Sequence, residues 1–180
     1  QVYRGMDVGT SKPTAEEMRA VPHHLYSIVD PVEDFDAASY IARADEAIAG
    51  IASRGRVPVV CGGTGLYLRA LTRGLAEIPA VPGEVSERVT REIDARGVAA
   101  AHVRLAEVDA IAAAKIAPAD RQRIQRALEV YDATGVPISE FQKRHAFAAP
   151  RYDVLSIGVR VPRAELHRRI DARARTIRWR

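Results

Sequence analysis

Two short segments carry residue types at spacings that could do chemistry. In the first, Val57-Pro58-Val59-Val60-Cys61 stops at Gly62-Gly63-Thr64-Gly65, and the chain restarts at Leu66-Tyr67. Glycines at a strand-to-helix turn let the backbone approach a ligand closely, and the new helix aims unpaired N–H groups at the same spot. Those amides and the helix dipole suit a phosphate or another anion, and Thr64 adds a hydroxyl. A tight turn after a buried strand is the plainer reading of the same residues. In the second segment, Asp120 follows Pro118 as a helix start, and Ile124, Leu128 and Tyr131 recur at i, i+4 and i+7 on a core-facing stripe. Gln122 with Arg126, at i and i+4, and Arg123 with Arg126, at i and i+3, then share a polar face. Arginine grips phosphate bidentately and glutamine can read a base edge or a sugar. The alternative is that these arginines pair with Glu129 or Asp132.

Other candidates carry plainer readings. Adjacent His23 and His24 on a strand point to opposite faces, and no carboxylate or cysteine stands at ligand spacing, so they read as a packed or hydrogen-bonded pair. Cys61 ends an apolar run and reads as a small hydrophobe. Asp7 and Lys12 flank a turn, either as a loop salt bridge or as an anion contact. A second arginine cluster, Arg163, Arg168, Arg169, Arg173, Arg175, Arg178 and Arg180, crowds the end of the chain. It fits a polyanionic partner, nucleic acid first, or a solvated arginine-rich helix surface.

The elements that must position these residues follow from periodicity and punctuation. Thr14 to Arg19 reads as a short helix after Pro13, and the run from Pro22 to Pro31 as strand-like between prolines. Asp36 is a natural N-cap, followed by Ile41, Ala44, Ile48 and Ile51 at helical spacing up to the Arg54-Gly55 stop. A strand at 57–61 comes next, and helix followed by apolar strand is the rhythm of a parallel α/β sheet. After Gly74, Pro79 and Pro82 mark a junction. From Glu84 to about Arg144 the pattern is helical. Asp153 to Val161 returns to strand and Pro162 opens a last helix. A helical block between two α/β pieces predicts an insertion into a doubly wound core, with boundaries at 1–76, 77–148 and 149–180.

Composition narrows the class. Of 180 residues, 47% are hydrophobic and 28% charged, which is globular rather than disordered chemistry. No apolar run reaches the roughly 18 residues a membrane span needs. The start lacks a signal pattern, and one cysteine excludes an internal disulfide framework, so a cytoplasmic setting is expected. A start at Gln1-Val2-Tyr3 without methionine and an end inside a helix at Ile177-Arg178-Trp179-Arg180 read as a fragment.

Four blocks in register carry a resemblance over essentially the whole chain. They are Gln1-Val2-Tyr3-Arg4-Gly5-Met6-Asp7-Val8-Gly9-Thr10-Ser11-Lys12-Pro13, Pro22-His23-His24-Leu25, Gly62-Gly63-Thr64-Gly65-Leu66-Tyr67 and the stretch from Asp120 to Val130. In order and spacing the chain resembles the tRNA dimethylallyltransferases. That resemblance implies a P-loop NTPase-like parallel sheet core with an all-helical insertion. It also implies transfer of a dimethylallyl group from its diphosphate to N6 of the adenine next to the anticodon, assisted by Mg²⁺. It gives Thr64 a catalytic role, places Gly62, Gly63 and Thr64 at the diphosphate, and sets Gln1, Gln122, Arg123, Ile124, Gln125 and Arg126 against the tRNA. No residue here is assigned as a metal ligand, and a monomer is expected.

The chain departs from that pattern in three places. No G-x-x-x-x-G-K-[ST] loop is present, the general-base aspartate that the resemblance implies falls a few positions before Gln1, and Thr176 to Arg180 do not follow the family's usual acidic helix. The chain as given is therefore expected to bind diphosphate poorly and to turn over little or nothing. The rival readings are an adenylate isopentenyltransferase acting on free nucleotide, a P-loop small-molecule kinase with a helical lid, and a noncatalytic RNA-binding module.

Overall fold

The computed structural model describes residues 1–145 and 150–177, so the expected boundary at 148–149 and the end of the last helix at 178–180 lie outside the described residues. Nine helices are described: α1 (Ala15–Ala20), α2 (Ala37–Ser53), α3 (Gly65–Arg73), α4 (Gly83–Arg96), α5 (Val98–Val108), α6 (Ala110–Lys115), α7 (Arg121–Thr134), α8 (Ile138–His145) and α9 (Arg163–Ile177). The chain divides into two compact units. Unit 1 is Gln1–Gly74 with Pro150–Arg180, and unit 2 is Leu75–Ala149.

The expected parallel sheet is not there. Among the described residues the β pairing is one isolated parallel bridge, between Tyr3 and Val29. The segments 57–61 and 153–161 are in no strand, and their apolar side chains face solvent, with Val57 85% and Val159 89% exposed. The physical reason is that β-branched runs report a tendency to extend, whereas a ladder also needs a neighbouring strand to accept its N–H groups. No described residue supplies that neighbour.

In unit 1 the chain start runs alongside residues 27–29: Ile28 N–H donates to Val2 O at 2.7 Å, and Arg4 N–H to Val29 O at 2.8 Å. Asp36 caps α2 by accepting from Ser39 N–H at 2.8 Å, which holds its carboxyl below the usual 3.8. α2 packs on α3 with Ala44 buried on one helix and Ala70 and Leu71 on the other. Methyl-sized side chains let two helices approach closely.

Unit 2 is an all-α cluster of α4 to α8. Its fully buried side chains, Val89, Ile93, Leu105, Ile124, Leu128 and Val130, come from α4, α5 and α7, and each contributes about 1.5–3 kcal/mol by leaving water. Gly97 and Gly135 take positive φ between α4 and α5 and after α7, conformations that a side chain resists. Three carboxylates crosslink the helices. Asp109 accepts from Ala112 N–H and Ser139 N–H, both at 2.9 Å, and so caps α6 while holding the start of α8. Asp132 takes Arg104 at 2.6 Å and Arg88 at 3.3 Å. Glu129 accepts from Ser86 Oγ at 2.6 Å and Gln125 Nε2 at 2.9 Å.

Capping chemistry separates two kinds of helix start. Thr14 forms a reciprocal capping box with Glu17, whereas Thr64, at the N-cap of α3, makes no side-chain cap bond. Asp109→Ala, which strands two buried amides, is expected to lower the unfolding free energy by about 2–4 kcal/mol in a denaturant titration. In the same titration Thr64→Ala is expected to stay within about 0.5 kcal/mol of the parent.

Candidate active site and nucleic-acid face

The glycine turn leads directly into α3. Leu68 N–H donates to Thr64 O at 3.1 Å, the first bond of the helix, so the amides of Gly65, Leu66 and Tyr67 precede it and are the orphan donors of that terminus. Gly62, Gly63, Thr64 and Gly65 are all exposed. Neither Gly62 nor Gly63 has a positive φ, and a Cβ built on either meets nothing within 4 Å. The fold of this chain therefore does not require glycine there. What the two glycines preserve is bare backbone open to close approach from outside. Thr64 presents its hydroxyl at the same edge, since no cap bond consumes it.

Aromatic packing holds α3 at this end. The Tyr67 ring stacks on Tyr40 of α2, with centroids 4.5 Å apart and planes at 15°, and meets Phe35 edge-on at 6.5 Å. Its hydroxyl donates to Phe35 O at 3.5 Å. Burial raises the phenol pKa of both Tyr67 and Tyr40, so both rings stay neutral near neutral pH. Nothing in the sequence pattern pointed to Tyr40, because a tyrosine inside an amphipathic helix carries no pairing signal.

The N-terminal loop is a closed frame built around Lys12. Its ammonium donates to Tyr3 O at 2.5 Å, Asp7 Oδ1 at 2.8 Å and Ser27 Oγ at 3.0 Å. Lysine has three N–H donors, so none is left for an anion, and the Asp7–Lys12 pair is a loop salt bridge. Gln1 spends both amide hydrogens on Thr10 O and Ser11 O, each at 2.7 Å, which leaves its carbonyl oxygen as the outward group. Ser11, Leu25 and Ser27 sit at φ of 52°, 65° and 52° in this frame, a conformation that costs residues with side chains and that the surrounding bonds must hold. His23 Nδ1 lies 2.7 Å from Val21 O and its ring packs edge-on against Tyr26, so it is engaged within the loop.

On α7 the structure sorts the five adjacent candidates by face. Gln122, Arg123 and Arg126 are exposed. Ile124 is 0% exposed in the core of unit 2, so its side chain cannot touch a macromolecule. Gln125 turns inward, donating to Thr90 Oγ1 at 3.0 Å and to Glu129 at 2.9 Å. Arg123 pairs with the N-cap Asp120, whose carboxyl that bond holds below its ordinary value. Arg126 stands 3.8 Å from Glu129, while Arg121 is drawn to Asp94 at 2.6 Å. The side chains of Arg123 and Arg126 are 74% and 48% exposed, and at 3.8 Å the contact of Arg126 with the buried Glu129 is loose. Both cations are therefore readily turned to a phosphate partner. On α9, Arg168 and Arg169 pair with Glu165, and Arg173 reaches Ser11 Oγ.

Among the described residues no three His, Cys, Asp or Glu stand close enough to hold a metal ion. No helix of the described residues is long and apolar enough to cross a membrane.

The IPP transferase family model matches residues 1–178. A tRNA dimethylallyltransferase of Anaeromyxobacter dehalogenans (strain 2CP-C) is 53% identical over 177 residues, which is 98% of this chain and 59% of that protein. The chain is thus about three-fifths as long as this relative. Among solved structures, a eukaryotic dimethylallyltransferase acting on tRNA superposes with a TM-score of 0.80 at 26% identity, over 98% of this chain and 44% of that one. The tRNA delta(2)-isopentenylpyrophosphate transferase of Staphylococcus epidermidis gives a TM-score of 0.56 at 35% identity, over 98% and 58%. With a family match running along nearly its whole length and a curated relative at more than half identity, the chain belongs to the IPP transferase family.

Proposed function

We propose that the protein containing this chain transfers a dimethylallyl group from dimethylallyl diphosphate to the exocyclic amine of the adenine next to the anticodon in tRNA. The observation that carries this reading is the Gly62-Gly63-Thr64 turn, with bare backbone, orphan amides and an uncapped hydroxyl converging at the start of α3. Family membership and the identification of the Anaeromyxobacter dehalogenans relative as a tRNA dimethylallyltransferase support it.

In the reaction the bond from the dimethylallyl carbon to the diphosphate oxygen breaks and the bond from adenine N6 to that carbon forms. N6 gives up a proton to water, and the diphosphate departs with added negative charge. Amides at a helix N-terminus suit that developing charge, and Thr64 adds a donor beside them. Gln122, Arg123 and Arg126 form the RNA-facing side of α7, where arginines meet phosphates and the glutamine meets a base or sugar edge. Ile124 and Gln125 hold that face from beneath. Gln1 offers its carbonyl oxygen as an acceptor. The described residues do not build a Mg²⁺ site. Mg²⁺ characteristically binds phosphate oxygens and water rather than a dedicated protein cage.

The test is transfer of labelled dimethylallyl from its diphosphate by the whole protein, offered an anticodon stem-loop and AMP in parallel. Label on the RNA adenine is expected. Label on AMP alone would move the reading to a free-nucleotide isopentenyltransferase, and label on neither would overturn prenyl transfer. Thr64→Ala is expected to lower kcat by about a hundredfold, the scale for loss of one charge-stabilising donor. Arg126→Ala is expected to weaken stem-loop binding and to reduce its log–log salt slope by about one, with diphosphate binding unchanged in a filter assay.

A further inference from the structure

We infer that Arg151 is a positioning residue for the Gly62–Thr64 turn, acting through α3 from the opposite end of that helix. The inference rests on the prenyl-transfer reading of the turn. α3 has nine residues, which at 1.5 Å per residue sets its ends about 13 Å apart. One end carries Thr64. The other ends in carbonyls that have no helical partner, and Arg151 meets two of them. Its backbone N–H donates to Thr72 O at 2.9 Å and its Nη1 donates to Leu71 O at 2.9 Å. A cation at a helix C-terminus is also favoured by the dipole.

The guanidinium is itself held from α2. Nη2 lies 2.5 Å from Asp45 Oδ2 and Nη1 3.4 Å from Oδ1, and the Tyr152 hydroxyl donates to Oδ1 at 2.5 Å. Burial pushes the Asp45 carboxyl up, but the bonds from Arg151 and Tyr152 outweigh it and leave the group below its ordinary value, hence ionised. α3 is therefore tied to α2 at both ends, by the Tyr67–Tyr40 stack beside the turn and by Arg151 on Asp45 at the far end. A ring stack tolerates sliding, whereas a forked ion pair whose guanidinium also donates to the Leu71 carbonyl does not. Arg151 thus sets where α3 sits along its axis, and with it the height of Thr64 and the orphan amides.

The same residue joins the two pieces of unit 1. Unit 1 breaks off at Gly74 and resumes at Pro150, and the bond from Arg151 N–H to Thr72 O spans that break. Lysine cannot replace it, because one ammonium does not present a planar fork to a carboxylate and a carbonyl together.

The test compares the whole protein with its Arg151→Lys and Asp45→Asn variants and with the charge-swapped double Asp45→Arg/Arg151→Asp. Measured for each are kcat, KM for dimethylallyl diphosphate and for the stem-loop, melting midpoint and hydrogen exchange at the Leu68 amide. Arg151→Lys is expected to melt near the parent while kcat falls about 10–100-fold, the cost of misplacing reacting groups by a fraction of an ångström to an ångström. The stem-loop KM stays near the parental value and Leu68 exchanges faster. Asp45→Asn is expected to follow in the same direction. The swapped double rebuilds an ion pair and keeps the backbone bond to Thr72 O, but turns a carboxylate toward the Leu71 carbonyl, so it stays slow. Parental kcat in Arg151→Lys or Asp45→Asn, or restored kcat in the double, overturns the inference. If the parent itself transfers no prenyl group, the functional reading fails instead, and unchanged Leu68 exchange then overturns the positioning role on its own.

Discussion

A helix of nine residues is too short to be stable alone in water, so α3 exists because α2 buries it. That contact is the constraint on which the rest of unit 1 depends. Its dry centre is small, with Ala44 from one helix and Ala70 and Leu71 from the other, and small residues trade apolar area for closeness. The shortfall is made up at the edges. Stacked tyrosines close one end and a carboxylate–guanidinium pair the other, so the helix that presents the glycine turn is defined more by its ends than by its middle. The turn can then stay bare. Among the described residues nothing packs on Gly62 or Gly63 or caps through the Thr64 hydroxyl, which leaves all three at the disposal of a ligand.

Unit 2 solves a different problem. It shows arginines to solvent while its own helices stay in register, and it does so by separating the two tasks on one cylinder. Ile124, Ala127, Leu128 and Val130 face the core, Gln125 and Glu129 bond across to α4, and Gln122, Arg123 and Arg126 remain outside. Charges needed for the fold are buried and multiply bonded, as at Asp109 and Asp132. Arg121 and Arg123 are each held by a single carboxylate outside the core, and Arg126 only brushes the buried Glu129 at 3.8 Å. That gradient from fixed to loosely held charge is what an adaptable polyanion-binding face requires.

Much of this was legible in the sequence because it is local. Asp36 and Asp120 cap helices where their spacing to the first apolar residues said they would, Gly135 ends α7, and the helical block runs through α4 to α8 without a strand among the described residues. The same periodicity that put Ile124 in the core already excluded it from any solvent-facing role, and the structure sides with periodicity. What could not be read is non-local. The apolar runs at 57–61 and 153–161 looked like sheet strands because a propensity for extension says nothing about who supplies the neighbouring ladder. The junction of Arg151 with Asp45 spans more than a hundred positions, and no spacing rule reaches that far. Tyr40 was invisible for the same reason.

Lys12 has a consequence for handling the protein. Its side chain is 8% exposed and all three of its N–H groups are engaged, and it is the single lysine of unit 1. An amine acylates through its free lone pair, which a buried, fully donating ammonium does not offer. Reagents that label lysines will therefore report unit 1 only when the loop from Tyr3 to Ser27 springs open, and the acylation rate at Lys12 becomes a built-in clock for that opening.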